Sequence, residues 1–265
     1  MTDSAQELLA VAVEVVRAAA DLAADLRTRG VSTVGTKSSA TDVVTAADNA
    51  TERYVRDALR ERRPGDVVLG EETGQSDGTG TVRWILDPID GTVNYLYGIP
   101  QYAVSLAAER DGVVAGVVRN VASGEEWTAL RDGGAYRDGQ RLAGSTETEL
   151  GQALVATGFG YTAQRRAYQA EVVARLLPRI RDIRRFGSAA LDLCFAAEGR
   201  VDAYFEKGLN LWDHAAGGLV AEEAGLFVTG LAGAPPGPAF LVAAPPGLYP
   251  ALHDALVGFA AADGP

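Results

Sequence analysis

The apolar positions at the start of the chain recur at helical spacing. In MTDSAQELLAVAVEVVRAAADLAADLRTRG they are interrupted by Glu14, Arg17, Asp21 and Asp25, a pattern that predicts an amphipathic helix. Those charges, with no basic n-region before them, argue against a signal peptide or a membrane span. The polar stretch VSTVGTKSSATD reads as a loop and carries Lys37, one of only two lysines. A second helix is predicted from Asp42, with Ala50, Tyr54 and Leu59 on one face and acids in its first turns, stopping at Pro64-Gly65. Short β-rich runs follow at VVLG, VRWIL, YAVSLAAE, VVAGVVRNV, EEWTAL and GAYRDGQRL, several joined by Asp-Gly pairs that suit antiparallel hairpins. From about Ala153 strand and helix alternate: ALVATG, a helix from Arg166 to Leu177, DIRRF, the helix containing Cys194, VDAYFE, a helix around Asp213, LFVTG, AFLVAA and a closing helix to Phe259.

The first half, residues 1–148, therefore reads as α+β, two helices on one largely antiparallel sheet, and the second, 149–265, as α/β. With 265 residues, 47% of them hydrophobic, the two can pack as one catalytic-sized unit around a substantial core. No internal repeat is present, and GLAGAPPGPA reads as a surface loop. A net charge of -11 argues against a nucleic-acid partner, whose phosphates call for clustered Lys and Arg. The single cysteine, Cys194, lies in an apolar helical pattern and reads as a small buried hydrophobe. One cysteine cannot form an internal disulfide, which suits a reducing, cytoplasmic compartment.

The candidate chemistry begins with VRWILDPIDGTVNY. Trp84, Ile85 and Leu86 form the continuous apolar run of a strand buried on both faces, so Asp87 emerges at its carboxyl end. Pro88 is expected to end ladder pairing and Asp90-Gly91 to reverse the chain, which lets the two carboxylates converge. A helical turn opening next would place the amides of Gly91 and Thr92 beside them as an anion site. A plain turn, with Asp90 as its cap, is the competing reading. In VVLGEETG, Glu71 and Glu72 follow another short apolar strand, although paired glutamates also suit a solvated surface. In GLNLWDHAAGGLVAEEAG, Asp213 stands where a helix N-cap belongs, with small residues behind it that allow close packing.

Carboxylates gathered in an apolar setting repel one another unless a cation lies among them. With two histidines and one cysteine, the available ligands are oxygens, which select a hard cation such as Mg²⁺ over zinc. His253 reads as a helix-surface residue and His214 as a packing residue. There is no G-x-S-x-G and no Walker loop. The best rival is ATGFGYTAQRR, where Gly158, Gly160 and Ala163 match a dinucleotide-binding G-x-G-x-x-A, but no acid-ended strand follows at the expected place.

Taken together and in order, DVVTAAD, GEET, WILDPIDGTVNY and LWDHAAGGLVAEEAG resemble the inositol monophosphatase family over most of the chain, from Lys37 to Gly225. The resemblance implies an αβαβα layered sandwich, commonly a homodimer, that hydrolyses a small phosphate ester with two or three Mg²⁺ per active site. It implies metal ligation by Glu71, Asp87, Asp90, Asp213 and the backbone carbonyl of Ile89, with Asp48 holding a further metal through water. Thr92 and Glu71 would orient the attacking water, with a less direct role for Glu72. Ser188, Ala189 and Glu206 would lie at the substrate with Asp90, Gly91, Thr92 and Asp213, and Lys37 in a mobile closing loop. The chain departs from the family's usual E-A-G-G by placing Leu226 after Gly225. The implied substrate is a polyol phosphate such as myo-inositol 1-phosphate. Relatives that share the metal core hydrolyse histidinol phosphate, fructose 1,6-bisphosphate or 3'-phosphoadenosine 5'-phosphate, and some proteins of this fold act by binding a partner.

Overall fold

A computed structural model of the chain describes residues 4–30, 33–36 and 43–265. Helix α1 (Ala5–Thr28) opens with a capping box: Ser4 Oγ accepts the Glu7 amide at 3.2 Å, and the Glu7 carboxylate accepts the Ser4 amide at 2.7 Å. Part of the expected loop is instead a short antiparallel pair, β1 (Thr33–Thr36) with β2 (Val43–Thr45). Lys37 lies outside the described residues.

Helix α2 (Ala46–Arg62) therefore starts four residues later than the acids from Asp42 suggested. Val43 and Val44 belong to the strand, and Thr45 caps the helix while the Asp48 carboxylate accepts the Thr45 amide at 2.8 Å. Its buried face also differs from the predicted one. Asp48, Thr51, Glu52 and Val55 are buried, whereas Ala50 and Tyr54 are half-buried. Two buried acids disguised the face.

The first sheet comprises β3 (Val67–Gly70), β4 (Gly74–Gln75), β5 (Arg83–Asp90), β6 (Ala103–Glu109), β7 (Val113–Asn120), β8 (Glu126–Leu130), β9 (Gly134–Arg137) and β10 (Gln140–Arg141), in the order β10-β9-β8-β7-β6-β5-β3-β4. Every pairing is antiparallel except β3 with β5. GAYRDGQRL is two strands rather than one run, turned at Asp138-Gly139, where both residues take positive φ (47° and 82°) as a two-residue hairpin demands. A short helix, α3 (Thr92–Tyr97), links β5 to β6.

The second sheet contains β11 (Leu154–Thr157), β12 (Asp182–Arg184), β13 (Ala203–Glu206), β14 (Phe227–Thr229) and β15 (Leu241–Ala244), in the order β12-β11-β13-β15-β14. β12 and β13 run parallel to β11, while β15 is antiparallel to both of its neighbours. Four helices accompany it: α4 (Ala163–Leu176), α5 (Ala189–Glu198), α6 (Leu211–Glu223) and α7 (Tyr249–Gly258).

Three apolar clusters define the layers. Trp84, Leu86 and Leu106 pack with Leu8, Val15 and Val55 of α1 and α2 on the outer face of the first sheet. Ile85, from the opposite face of the same strand, joins α5, α6 and Leu241 of the second sheet in the central layer. Val155, Phe205 and Val242 pack under Val172 of α4 and Leu252 of α7 on the far side. The result is the αβαβα sandwich, and β5 is indeed buried on both faces. Leu226, the departure after Gly225, is buried in the central cluster.

Candidate active site

Strand β5 does not stop at Pro88. Its pairing with β6 runs from Asp87↔Ser105 to Asp90↔Ala103, so three steps on one strand oppose two on the other. The extra residue is a bulge, which accommodates a proline that has no amide to give the ladder. In a regular strand, positions three apart point to opposite faces. The bulge restores the phase, and Asp87 and Asp90 both line one cavity of about 530 Å³.

Gly91 then turns the chain into α3 with φ 91°, a left-handed conformation that favours glycine. A Cβ there would lie 2.8 Å from the Gln101 carbonyl oxygen and 3.1 Å from that of Gly187. Asn94 Nδ2 donates to the Gln101 and Phe186 carbonyls, each at 2.7 Å, and so fastens this turn to the segment leading into α5. Ser188, the N-cap of α5, donates Oγ to Asp90 Oδ2 at 2.5 Å, and the Ala190 amide donates to the same oxygen at 2.7 Å.

The remaining carboxylates arrive from separate elements. Glu71 follows β3, its amide bonded to the Leu86 carbonyl at 3.3 Å. Glu72 is outside the cavity lining. Asp213 lies in the first turn of α6 but is not its N-cap: Asn210 is, and Asp213 Oδ2 accepts the Asn210 amide at 2.6 Å. Three positions into the helix, the acid still faces the cavity. Asp48 sits behind Thr92, whose Oγ1 lies 3.2 Å from both Asp48 Oδ1 and the Ile89 carbonyl oxygen. Glu206 ends β13, its Oε2 accepting the Tyr204 hydroxyl at 2.6 Å, and a Cβ at Gly158 would overlap its carboxylate. Glu71, Asp87, Ile89, Asp90, Gly91, Thr92, Ser188, Ala189, Glu206 and Asp213 thus share one cavity. A shallow groove of about 650 Å³ along α1, lined by Leu9, Val13 and Arg17 among others, has no residue in common with it.

Electrostatics set these acids against one another. Burial drives Asp213 well above the ordinary carboxylate range, and the charges of Glu71 and Asp90 push it further. Burial raises Asp90 to about 6, against the hydrogen bonds from Ser188 and the Ala190 amide. Glu206 is raised to about 7 by burial, opposed by the Tyr204 hydroxyl and Arg185. Among the described residues no three acidic, histidine or cysteine side chains are closed into a ready metal cluster. Asp90 and Asp213 are instead engaged by protein donors along the wall. An all-oxygen donor set whose members destabilise each other's charge fits a hard divalent cation, which would relieve that repulsion.

Several sequence expectations need correction or addition. His253 lies half-buried on α7, where its ring stacks on Tyr249 at 5.2 Å and its Nε2 accepts the Ala232 amide at 3.1 Å. His214 is buried, and that burial holds its imidazole down to about 4, so it packs as a neutral ring. The glycine loop Gly158–Ala163 does connect β11 to α4, yet the Gly160 amide is taken by Gln169 Oε1 at 2.9 Å, which withdraws it from a pyrophosphate. Glu52 was missed altogether. Wholly buried, it accepts the Glu72 amide at 2.9 Å, the Thr73 amide at 3.1 Å and Arg56 Nε at 2.9 Å, and so holds the turn that presents Glu71. Its only signal was its position four residues after Asp48 in α2.

The comparisons with known proteins agree with this geometry. The sequence model of the Inositol monophosphatase family matches residues 4–260. An inositol-1-monophosphatase of Mycobacterium leprae is 48% identical over 250 residues, covering 89% of this chain and 85% of that protein. The Nus factor SuhB of Escherichia coli is 38% identical over 229 residues, covering 85% and 86%. The solved structure of Mycobacterium tuberculosis SuhB superposes with a TM-score of 0.84 at 43% identity, covering 97% of this chain and 98% of that one.

Proposed function

Because the chain belongs to the inositol monophosphatase family, we propose that it is a Mg²⁺-dependent phosphomonoesterase acting on a small polyol phosphate, with myo-inositol 1-phosphate as its reference substrate. One observation carries the reading: carboxylates from three separate elements, Asp87 and Asp90 on β5, Glu71 after β3 and Asp213 on α6, line one cavity beside the Gly91-Thr92 turn.

Glu71, Asp87, Asp90, Asp213 and the Ile89 carbonyl would hold the cation, with Asp48 serving a further ion through water. When bound, Mg²⁺ supplies Lewis acidity for phosphoryl transfer to water. The chain's own groups supply position. Thr92 Oγ1, fixed between Asp48 and the Ile89 carbonyl, orients the attacking water together with Glu71. The Gly91 and Thr92 amides face the phosphoryl oxygens where charge accumulates in the transition state. Ser188 keeps Asp90 in place and Ala189 borders the substrate. The Glu206 carboxylate, steadied by Tyr204, accepts substrate hydroxyls. The protein works as a cytoplasmic homodimer; no helix among the described residues is long and apolar enough to cross a membrane.

The reading is tested by phosphate release from inositol 1-phosphate, histidinol phosphate, fructose 1,6-bisphosphate and 3'-phosphoadenosine 5'-phosphate, with Mg²⁺ and with EDTA. Mg²⁺-dependent turnover of the inositol ester supports it in full. Selectivity for another ester replaces the substrate and leaves the mechanism. The Nus-factor name of the Escherichia coli relative favours one second reading, a partner-binding role for the same fold. A pull-down that recovers the same partner with wild-type and Asp90→Asn protein would support that role.

A further inference from the structure

Residues 259–265 follow α7 and run back along α4, from its last turn to its first. Arg175, near the end of α4, donates to the Phe259 and Gly258 carbonyls at 3.3 and 3.1 Å, and its guanidinium lies over the Phe259 ring, 4.3 Å from the centroid. The Tyr168 hydroxyl donates to the Ala260 carbonyl at 2.5 Å, and Gly264 passes over the Tyr168 ring, where a Cβ would overlap it. Arg165, in the first turn of α4, donates Nε to the Pro265 carbonyl at 3.1 Å. Between these points Ala261 is buried in the far-side cluster with Phe205 and Val172. The segment is thus fastened along the whole length of the helix.

Its reach extends beyond α4. Lys207, the residue after β13, donates Nζ to the Ala262 carbonyl. Burial and then the Arg165 charge lower the Lys207 pKa while Asp263 opposes them, so Asp263 of the same segment also faces this ammonium. Ala261 closes a small cavity with Phe159, Glu206 and Lys207. The segment therefore grips two connections, residues 158–162 between β11 and α4 and residues 207–210 between β13 and α6. β11 and β13 are adjacent and parallel, and the carboxyl ends of such strands open into the crevice where α/β sheets receive their ligands. Both connections line the active-site cavity, and neither carries one of the acids assigned to the cation. Lys207 directly follows Glu206, so its anchor limits how far the Glu206 carboxylate can shift.

We propose that residues 262–265 are a positioning strap for substrate recognition: by holding Arg165 and Lys207 they fix the second-sheet wall that carries Glu206, and so set the affinity for the polyol part of the ester. The inference rests on the phosphatase reading, with Glu206 as the acceptor of substrate hydroxyls. Damage to the fold alone would lower stability and spread across kcat and KM, whereas a strap that acts on Glu206 alters KM through that side chain.

The test is steady-state kinetics at saturating Mg²⁺ with inositol 1-phosphate, or with whichever ester of the panel above is turned over. A chain ending at Ala261 loses the partners of both Arg165 and Lys207 and keeps the buried anchor; its KM should rise about fivefold, with kcat within about twofold of wild type. Lys207→Met should raise KM about threefold, and Lys207→Arg, which retains a donor for the Ala262 carbonyl, should stay within about twofold of wild type. On a Glu206→Gln background the truncation should add less than about twofold, because the strap acts through that side chain. Thermal melts show which variants fold, and where the truncated chain does not, the Lys207 variants on both backgrounds decide. An unchanged KM in the truncated chain and in Lys207→Met, a full rise that persists on the Glu206→Gln background, or a kcat that falls as far as KM rises overturns the strap while the phosphatase reading stands. No Mg²⁺-dependent release from any ester of the panel overturns that reading and, with it, the strap.

Discussion

Asp90 bears more of the site than any other single side chain. One carboxylate oxygen accepts both the Ser188 hydroxyl and the Ala190 amide, so the acid is aimed by the helix whose start also lines the cavity. Asp90→Asn preserves its shape and removes its charge, and turnover should fall by at least about 100-fold at saturating Mg²⁺. Steady-state kinetics over a Mg²⁺ series provide the check, and near-normal kcat would remove Asp90 from the ligand set. Glu206→Gln keeps an acceptor for Tyr204 but loses a charged one for substrate hydroxyls. It should raise KM for inositol 1-phosphate by roughly 3- to 10-fold with a smaller change in kcat, whereas an unchanged KM would place Glu206 off the substrate. At this scale the sequence was informative about acids at strand ends, because an apolar run that ends in Asp or Glu is conspicuous. It was uninformative about Glu52, since a buried acid in a helix has the same letter as a surface one. Only the third dimension reveals that amides from a distant turn converge on it.

At the scale of elements, turns and caps decide where the acids point. Pro88 read as a strand terminator, and a bulge absorbed it instead; the pairing partner that makes a bulge possible is not adjacent in sequence. Asp213 read as an N-cap because Asn210 and Asp213 are both good capping residues, but Asn210 takes the cap position and Asp213 accepts its amide from within the first turn. The longer strands, the Asp-Gly hairpin turns and the end of α2 before Pro64 were legible, because Asp-Gly pairs and proline act locally, whereas the short β1, β2 and β4 carried no such signal. The turn carrying Glu71 depends on Glu52, so Glu52→Ala should lower the free energy of unfolding by about 3 kcal/mol and also reduce turnover. Urea unfolding with paired activity assays tests this; a loss under about 1 kcal/mol would mean that the turn holds itself. The central helices pack closely enough to need small residues as well. A Cβ on Gly116 would lie 3.1 Å from the Ala216 backbone. Gly116→Val should therefore push α6, and Asp213 with it, away from the first sheet and lower both the melting temperature and the affinity for Mg²⁺. A melting temperature and Mg²⁺ affinity matching wild type would show that the contact is not limiting.

For the whole molecule, stability and metal binding are linked. Between an acid's ordinary pKa and its raised folded value, the folded state holds more protons than the unfolded one, so stability falls as pH rises. Asp90, raised from 3.8 to about 6, and Glu206, from 4.5 to about 7, both act in this direction, as does Asp213. His214, lowered from 6.5 to about 4, acts oppositely over its own window but is a single group against three. Metal-free protein should therefore melt at a lower temperature at pH 7.5 than at pH 5.5, values on either side of roughly the folded acid range. Added Mg²⁺ should raise the melting temperature more at the higher pH, because it binds the ionised carboxylates. A Mg²⁺ shift of equal size at both pH values would contradict the link.

The most direct measurement is phosphate release from inositol 1-phosphate by wild-type and Asp90→Asn protein in Mg²⁺, after EDTA, and after Mg²⁺ is restored. The wild type should turn over in Mg²⁺, stop in EDTA and recover fully, while the variant stays at least about 100-fold slower throughout. Release that survives EDTA, or a variant as fast as wild type, would contradict a hydrolase built on these carboxylates.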